Sequence, residues 1–201
     1  MNAHYEMFKK PFVKGSRDPV LLWIVKNVLE PIENPKILTI GAERDMDINS
    51  RAGDGWADFY WAELIKSKNR GKLVIVDIDN QAIDNCLKIF QDFIWDIDIN
   101  FVLADGVNII EKLPWDFIYL DGSPDPYEML AQYEKIDRAK SFILIDDYKD
   151  KGALISKKYS NDIKVMHVNY CHDMACVPRI GENFDEKLLE LDKDLYNNRI
   201  A

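Results

Sequence analysis

The chain has 201 residues, 47% of them hydrophobic, and a formal net charge of −9. That length suits a single domain with a full core, and the acidic charge argues against non-specific nucleic-acid binding, which depends on clustered lysine and arginine. No apolar run approaches the roughly 20 residues that cross a bilayer, so we expect no membrane partner. Three cysteines without metal-like spacing suit the reduced thiols of a cytoplasmic protein.

Apolar runs and helical patterns alternate along the chain. Runs without polar alternation predict strands buried on both faces, and apolar residues at helical spacing predict the helices between them. An N-terminal arm covers 1–16, and a long polar loop covers 42–54. The predicted elements are a helix Arg17–Pro31, strand Ile37–Gly41, helix Gly55–Lys66, strand Lys72–Asp77, helix Asn80–Phe93, strand Ile99–Leu103, helix Val107–Lys112, strand Trp115–Leu120, helix Pro126–Ile136, strand Ser141–Ile145, helix Lys151–Tyr159, strands Ile163–Val168 and Met174–Ile180, and helix Asp185–Asn198.

Three of these helices carry capping signals. Asp18 can cap the first helix, with Pro19 in its first turn, and Asp79 or Asn80 can cap the third. Asp125 precedes a proline at the first position of a later helix.

This order predicts an α/β fold built as one doubly wound domain over residues 1–201. Five strands separated by helices form the parallel part of the sheet, and the last two strands form an antiparallel closing pair. We therefore expect a mostly parallel sheet of seven strands with helices on both faces.

Acidic residues follow four of the buried runs at the point where each strand ends. They are Asp77, Asp105, Asp121 and the pair Asp146-Asp147, while the first run ends on Gly41. Parallel strands end on one edge of the sheet, where open α/β sheets bind ligands. Crowded carboxylates need cations or hydrogen-bond donors among them, and a Mg²⁺-like ion would relieve the adjacent pair. Taken singly, each aspartate could instead form a turn or cap the next helix.

The turn after the first strand discriminates between two cofactor classes. A dinucleotide needs a glycine-rich turn that opens a helix and receives its pyrophosphate. Here Gly41 is followed by the acids Glu43, Asp45 and Asp47, which would repel a pyrophosphate. S-adenosylmethionine has no phosphate and carries a sulfonium and an ammonium group, so the pattern favours it over NAD.

Two blocks of the chain resemble a known family. Residues Asp116–Gly122 and Phe142–Tyr148 are similar to the small-molecule O-methyltransferases of the catechol and macrocin types. These belong to the class I, Rossmann-like S-adenosylmethionine-dependent methyltransferases, which the chain resembles from about residue 17 to 180. The resemblance implies methylation of a small hydroxylated acceptor, and it is compatible with a homodimer paired through N-terminal helices.

The resemblance also implies roles for single residues. Asp77 matches the acid that grips the ribose, Asp105-Gly106 the position beside the adenine, and Gly41 the glycine beside the methionine part. The cofactor-binding residues expected in this way are Gly41, Ala42, Glu43, Gly53, Gly55, Asp77, Ile78, Asp105, Gly106 and Asp121.

We call the edge of the sheet that carries these acids the rim, and its part around the last two parallel strands matches the acceptor side of the family. Asp121, Asp146 and Asp147 match the positions that hold a divalent ion in the metal-dependent members. Asp121 and Asp147 are the expected catalytic groups, and a carboxylate would be the general base if no metal binds.

The chain departs from the family pattern at four places, one of which is Asp147, where catechol-type enzymes often have an amide. The glycine-rich turn is absent after Gly41, and Gly53 and Gly55 follow late, as though an insertion had displaced them. Thr39 stands where an acid is usual, and the loop Ser123-Pro124-Asp125 lacks the lysine that serves several members as base. Two alternatives therefore stay open, a catalytically silent cofactor-binding or interaction module and a nucleotide-cofactor oxidoreductase.

Overall fold

The computed structural model describes residues 17–47, 56–91, 96–168 and 173–183. In this part of the chain seven strands form one sheet in the order β3-β2-β1-β4-β5-β7-β6. The strands are β1 Lys36–Ile40, β2 Lys72–Asp77, β3 Asp98–Leu103, β4 Phe117–Leu120, β5 Phe142–Asp146, β6 Lys164–Val168 and β7 Asp173–Val177. The helices are α1 Asp18–Ile24, α2 Ala57–Lys68, α3 Asn80–Ile89, α4 Val107–Ile110, α5 Pro126–Glu134 and α6 Ala153–Lys158.

The predicted fold class is confirmed. Strands β1 to β5 pair in parallel, and β7 pairs antiparallel with both β5 and β6. The strand order reverses between the neighbouring strands β1 and β4, near the centre of the sheet. Such a reversal opens a crevice beyond the strand ends, where open α/β sheets bind their ligands.

Both faces of the sheet are covered, which explains why the strands read as continuous apolar runs. On one face α1, α2 and α3 pack on an aromatic-rich core, in which the ring of Trp61 lies 5.0 Å from that of Phe117. On the other face α4, α5 and α6 pack on aliphatic side chains of the strands, among them those of Leu38, Ile143 and Ile145.

The first helix differs from its prediction at both ends. α1 continues as a π-helical stretch over Val25–Leu29, short of the predicted end at Pro31. Asp18 is not the N-cap, because Arg17 holds that position. Instead the buried carboxylate of Asp18 accepts a hydrogen bond of 2.6 Å from the hydroxyl of Tyr60 on α2. Asp18 therefore joins two helices rather than starting one.

Other predicted boundaries shift by a few residues. α2 begins and ends two residues later than expected, α4 ends at Ile110, and β7 ends at Val177. Asp79 and Asp125 cap α3 and α5 as predicted, since each carboxylate accepts a backbone N–H two residues further on. The predicted terminal helix Asp185–Asn198 lies outside the described residues. Among the helices described, none is long and apolar enough to cross a membrane.

Candidate functional site

The strand ends bring three of the predicted site residues into one cluster. Asp121 follows β4, Asp146 ends β5, and Asp147 comes next. One carboxylate oxygen from each of the three lies within 4.8 Å of the other two. We call these three residues the acidic cluster.

Asp146 is the buried member of the acidic cluster, and its main partner is a residue the sequence reading missed. Its side chain has no exposed surface, and its Oδ2 accepts a hydrogen bond from Nη1 of Arg17 at the start of α1. The same oxygen accepts a 3.1 Å hydrogen bond from the Tyr119 hydroxyl, which itself accepts from Arg17 at 3.2 Å. Asp146 Oδ1 is buried and has no hydrogen-bond partner among the described residues.

Asp121 and Asp147 share a second cation. The ammonium of Lys151 donates to Asp121 Oδ1 at 2.7 Å and lies 3.3 Å from Asp147 Oδ2. Asp147 has a φ of 45°, so the chain turns sharply after β5. This turn brings two sequence neighbours to one cluster, although successive residues within a strand face opposite sides.

The electrostatics of the acidic cluster follow from burial and from these cations. Burial, then the neighbouring Asp121, acts to raise the pKa of Asp146, while the guanidinium of Arg17 in direct contact acts against that rise and favours the ionised carboxylate. Burial acts to lower the pKa of Lys151, but the carboxylates, Asp121 foremost, outweigh it and raise that pKa. Lys151 is therefore a cation at neutral pH and cannot be the base of a reaction.

This arrangement bears directly on the expected metal centre. Three facing carboxylates are a suitable donor set for a hard divalent ion. Here, however, Asp146 Oδ2 already accepts a hydrogen bond from Arg17 and Asp121 Oδ1 one from Lys151, and Asp147 Oδ2 lies 3.3 Å from the same ammonium. A divalent ion would meet two positive charges a few ångströms away, so this arrangement disfavours the metal that the resemblance implies.

The turn after β1 is shaped by the neighbouring strand. Gly41 has a φ of 105°, and a side-chain carbon there would lie 2.7 Å from the backbone carbonyl of Asp121. Only glycine can both adopt this backbone angle and pass so close. Gly41 and Asp121 are thereby fixed side by side at the reversal point of the sheet.

Asp77 fixes the start of the long loop. Its Oδ2 accepts the N–H of Ala42 and its Oδ1 accepts that of Asp79, each at 2.8 Å. The loop then runs along α3, where the buried Glu43 donates its N–H to Cys86 Sγ at 3.3 Å. Gly53 and Gly55, the predicted displaced glycines, lie outside the described residues.

The predicted adenine-side residues lie at the ends of β2 and β3. Asp105 Oδ1 accepts the N–H of Val107 at 2.9 Å and so helps to begin α4. Gly106 is required by packing, since a side-chain carbon there would lie 2.6 Å from Cγ2 of Ile40. Ile78 is 74% exposed beside Asp77. It offers an apolar surface next to the acid expected to bind the ribose.

Another buried acid, Asp58, contacts the first strand. Asp58, in the first turn of α2, is 1% exposed and accepts a 2.5 Å hydrogen bond from the Thr39 hydroxyl on β1. Burial raises the pKa of Asp58 to about 7. The family pattern has an acid at the position of Thr39, and here Asp58 of α2 places a carboxylate beside that threonine instead. A polar threonine within an apolar strand was the one sequence signal for this pair.

Comparison with solved structures shows which fold this is. An O-methyltransferase from Bacillus cereus, in complex with S-adenosylhomocysteine, matches with a TM-score of 0.57 and 13% identity, covering 89% of this chain and 91% of the other. An S-adenosylmethionine-dependent O-methyltransferase from Thermotoga maritima matches with a TM-score of 0.60 and 11% identity, covering 89% and 71%. An rRNA methylase from Streptococcus thermophilus matches with a TM-score of 0.54 and 12% identity, covering 84% and 98%.

Sequence comparison adds no family assignment. No protein-family model matches the chain, and no curated protein matches it. The solved structures share less than a sixth of their residues with it, so the likeness is one of fold. The chain has the Rossmann-like fold of the S-adenosylmethionine-dependent methyltransferases, with their antiparallel closing strands.

Proposed function

We propose that the chain is an S-adenosylmethionine-dependent methyltransferase that methylates an oxygen of a small hydroxylated acceptor. The observation that carries the proposal is the acidic rim at the reversal point of a methyltransferase-type sheet. Asp77 ends β2 and Asp121 follows β4, the two strands on either side of β1, and the buried Glu43 comes after the turn that follows β1. Such a rim suits a cofactor with a sulfonium and an ammonium group better than one with a pyrophosphate.

The cofactor would lie along the ends of β1, β2 and β3. Asp77 would accept the ribose hydroxyls in addition to its two backbone hydrogen bonds, since each carboxylate oxygen can accept more than one. Ile78, Asp105 and Gly106 would adjoin the adenine, and Gly41 with Ala42 and Glu43 the methionine part. When bound, S-adenosylmethionine supplies a methyl carbon that accepts an oxygen lone pair while its bond to sulfur breaks, leaving a neutral thioether.

The chain's own part in the reaction is to orient and deprotonate the acceptor. Asp121 and Asp147 have partly exposed side chains, 23% and 29%, so a hydroxyl proton can reach either carboxylate. Holding the acceptor oxygen in line supplies much of the rate in such displacements. The net charge of −9 favours a small acceptor over the RNA named for some structural neighbours.

The silent-module alternative is favoured by one specific observation. Both carboxylate oxygens of Asp77 already accept backbone N–H groups, which ties the first loop across the end of β2. If the loop keeps this position, ribose hydroxyls must share those oxygens. A chain that never binds the sulfur cofactor would match this geometry.

Thermal unfolding with candidate ligands tests the proposal. S-adenosylhomocysteine at about 100 times its Kd should stabilise the fold by about 2.7 kcal/mol. For a domain of this size that raises Tm by roughly 5–10 °C. NAD should leave Tm unchanged. No shift with the sulfur compounds would favour the silent interaction module, and a shift with NAD alone would favour the oxidoreductase.

A matched pair of variants tests the ribose assignment. Asp77→Asn should weaken binding of S-adenosylhomocysteine about tenfold or more, which is about 1.4 kcal/mol. Asp84→Asn, on the adjoining α3 and away from the rim, is the control and should bind as the parent does. Equal affinity of all three proteins would remove Asp77 from the cofactor site.

Label transfer from S-adenosylmethionine to catechols, but not to rRNA, would support the acceptor class.

A further inference from the structure

Two protein cations lie among the three carboxylates that the resemblance gives to a metal. Arg17 is the inner one, with a side chain only 6% exposed. Its Nη1 donates to Asp146 and lies 3.5 Å from Asp121 Oδ2. Because this arginine is the N-cap of α1 and its side chain is buried, the cation is held by the fold.

Lys151 is the outer cation. It bridges Asp121 and Asp147 from the turn after β5, and its side chain is 20% exposed. The backbone N–H of Lys151 donates to the carbonyl of Asp147 at 2.8 Å, which fixes where the side chain starts. Its ammonium therefore lies between the carboxylates of two different strand ends and can still be reached from solvent.

We infer that Arg17 and Lys151 together take the place of a divalent ion, and that Lys151 is the positive group that an acceptor oxygen would meet. Arg17 neutralises the buried side of the acidic cluster, and Lys151 neutralises the open side. The part that concerns the acceptor rests on the proposed function. An ammonium pairs best with an anionic oxygen, so phenols, enols and carboxylic acids fit this rim better than unactivated alcohols.

The charge balance explains why a metal is not needed. A hard cation serves at such a site to relieve carboxylate repulsion and to stabilise a deprotonated oxygen. The guanidinium of Arg17 already relieves the repulsion at Asp146. The ammonium of Lys151 relieves it at Asp121 and Asp147, and it can also stabilise a deprotonated acceptor oxygen. The acceptor's proton then passes to a carboxylate, because Lys151 already holds its own.

Manganese binding tests this inference without any methyl acceptor. The probe is Mn²⁺ alone, followed by the electron paramagnetic resonance signal of the free ion. The parent chain should not reduce the signal at millimolar Mn²⁺. Lys151→Ala should bind Mn²⁺ roughly tenfold or more tightly than the parent, because a unit charge has been removed a few ångströms from the ion. Lys151→Ala with Asp147→Asn should lose the gained binding.

Controls make each outcome decisive. Lys149→Ala removes a nearby lysine that lies 3.6 Å from Asp173, outside the acidic cluster, and should behave as the parent does. If Lys151→Ala fails to fold, Lys151→Gln removes the same charge with less loss of volume. Mn²⁺ binding by the parent, or no gain in either Lys151 variant, would overturn the inference. S-adenosylhomocysteine binding is measured in parallel, so a failure of the proposed function leaves the metal result readable.

Discussion

At the scale of single residues, Gly41 has the most demanding position in the rim. Its φ of 105° lies outside the range that other residues readily adopt, and the Asp121 backbone is 2.7 Å from where a side-chain carbon would sit. Both constraints act on the turn that places Asp121 beside β1. The residue therefore links the stability of the fold to the geometry of the site.

We expect Gly41→Ala to lower the free energy of unfolding by about 2–5 kcal/mol, because backbone strain and a backbone clash add. Gly181→Ala is a matched control. Gly181 also has a positive φ, 90°, but a side-chain carbon there meets nothing within 4 Å. It should cost about 1–2 kcal/mol from strain alone. Urea unfolding measures both, and equal losses would show that the Asp121 contact is unimportant.

The same scale shows how far sequence alone could predict the site. The aspartates at strand ends are predictable from sequence because each strand end follows from a local apolar run. Their gathering on one edge follows from the parallel order of the strands. Arg17 and Lys151 were missed because their contacts depend on where a helix start and a turn lie in space. Lys151 comes four residues after Asp147, but only the positive φ of Asp147 brings both to the acidic cluster.

At the scale of elements, α2 contributes a buried acid to β1. Asp58 follows the residue that begins the helix, and the Thr39 hydroxyl meets it from the strand. Burial raises the pKa of Asp58 from its ordinary value of 3.8 to about 7. A raised pKa means that the folded state binds the proton more tightly than the unfolded chain does. The resulting stability is fully present below pH 3.8 and is lost as the pH rises through 7.

We therefore expect Asp58→Asn to reduce the loss of stability between pH 4 and 7, by about 4 kcal/mol at most. At pH 8 the variant should be more stable than the parent, since a buried charge has been removed. Thr39→Val is the companion variant. It removes the hydrogen bond that lowers the pKa of Asp58, so the stability of this variant should go on falling to a higher pH than that of the parent. Thermal unfolding across pH measures all three, and an unchanged decline in Asp58→Asn would contradict the raised pKa.

Elements were predictable to the extent that local pattern decides them. The strands and the order of helices follow from apolar runs buried on both faces, and they were predicted correctly. Helix ends were less predictable. Asp18 resembled an N-cap in sequence, but the hydroxyl of Tyr60, 42 positions away, takes its carboxylate. The π-helical continuation of α1 has no sequence signal that we can identify.

At the scale of the whole molecule, Arg17 joins the first helix to the two central strands beyond the reversal point. It contacts Tyr119 on β4 and Asp146 on β5, more than 100 positions along the chain. All three side chains are buried. Contacts of such separation form only when the sheet and α1 are both in place, so this network reports on the assembled fold rather than on any one element.

A double-mutant cycle tests whether this buried network contributes to global stability. Arg17→Leu should cost about 3–5 kcal/mol, because it leaves the buried Asp146 carboxylate without its cation. Adding Asp146→Asn should recover part of that loss, with a coupling energy of about 1–3 kcal/mol. Arg70, whose pair with Glu33 is exposed, is the control, and Arg70→Leu should cost less than about 1 kcal/mol. If the two arginine variants unfold at the same urea concentration, Arg17 does not hold α1 to the sheet. A lower midpoint for Arg17→Leu with no recovery in the double variant would place its effect in packing rather than in the ion pair.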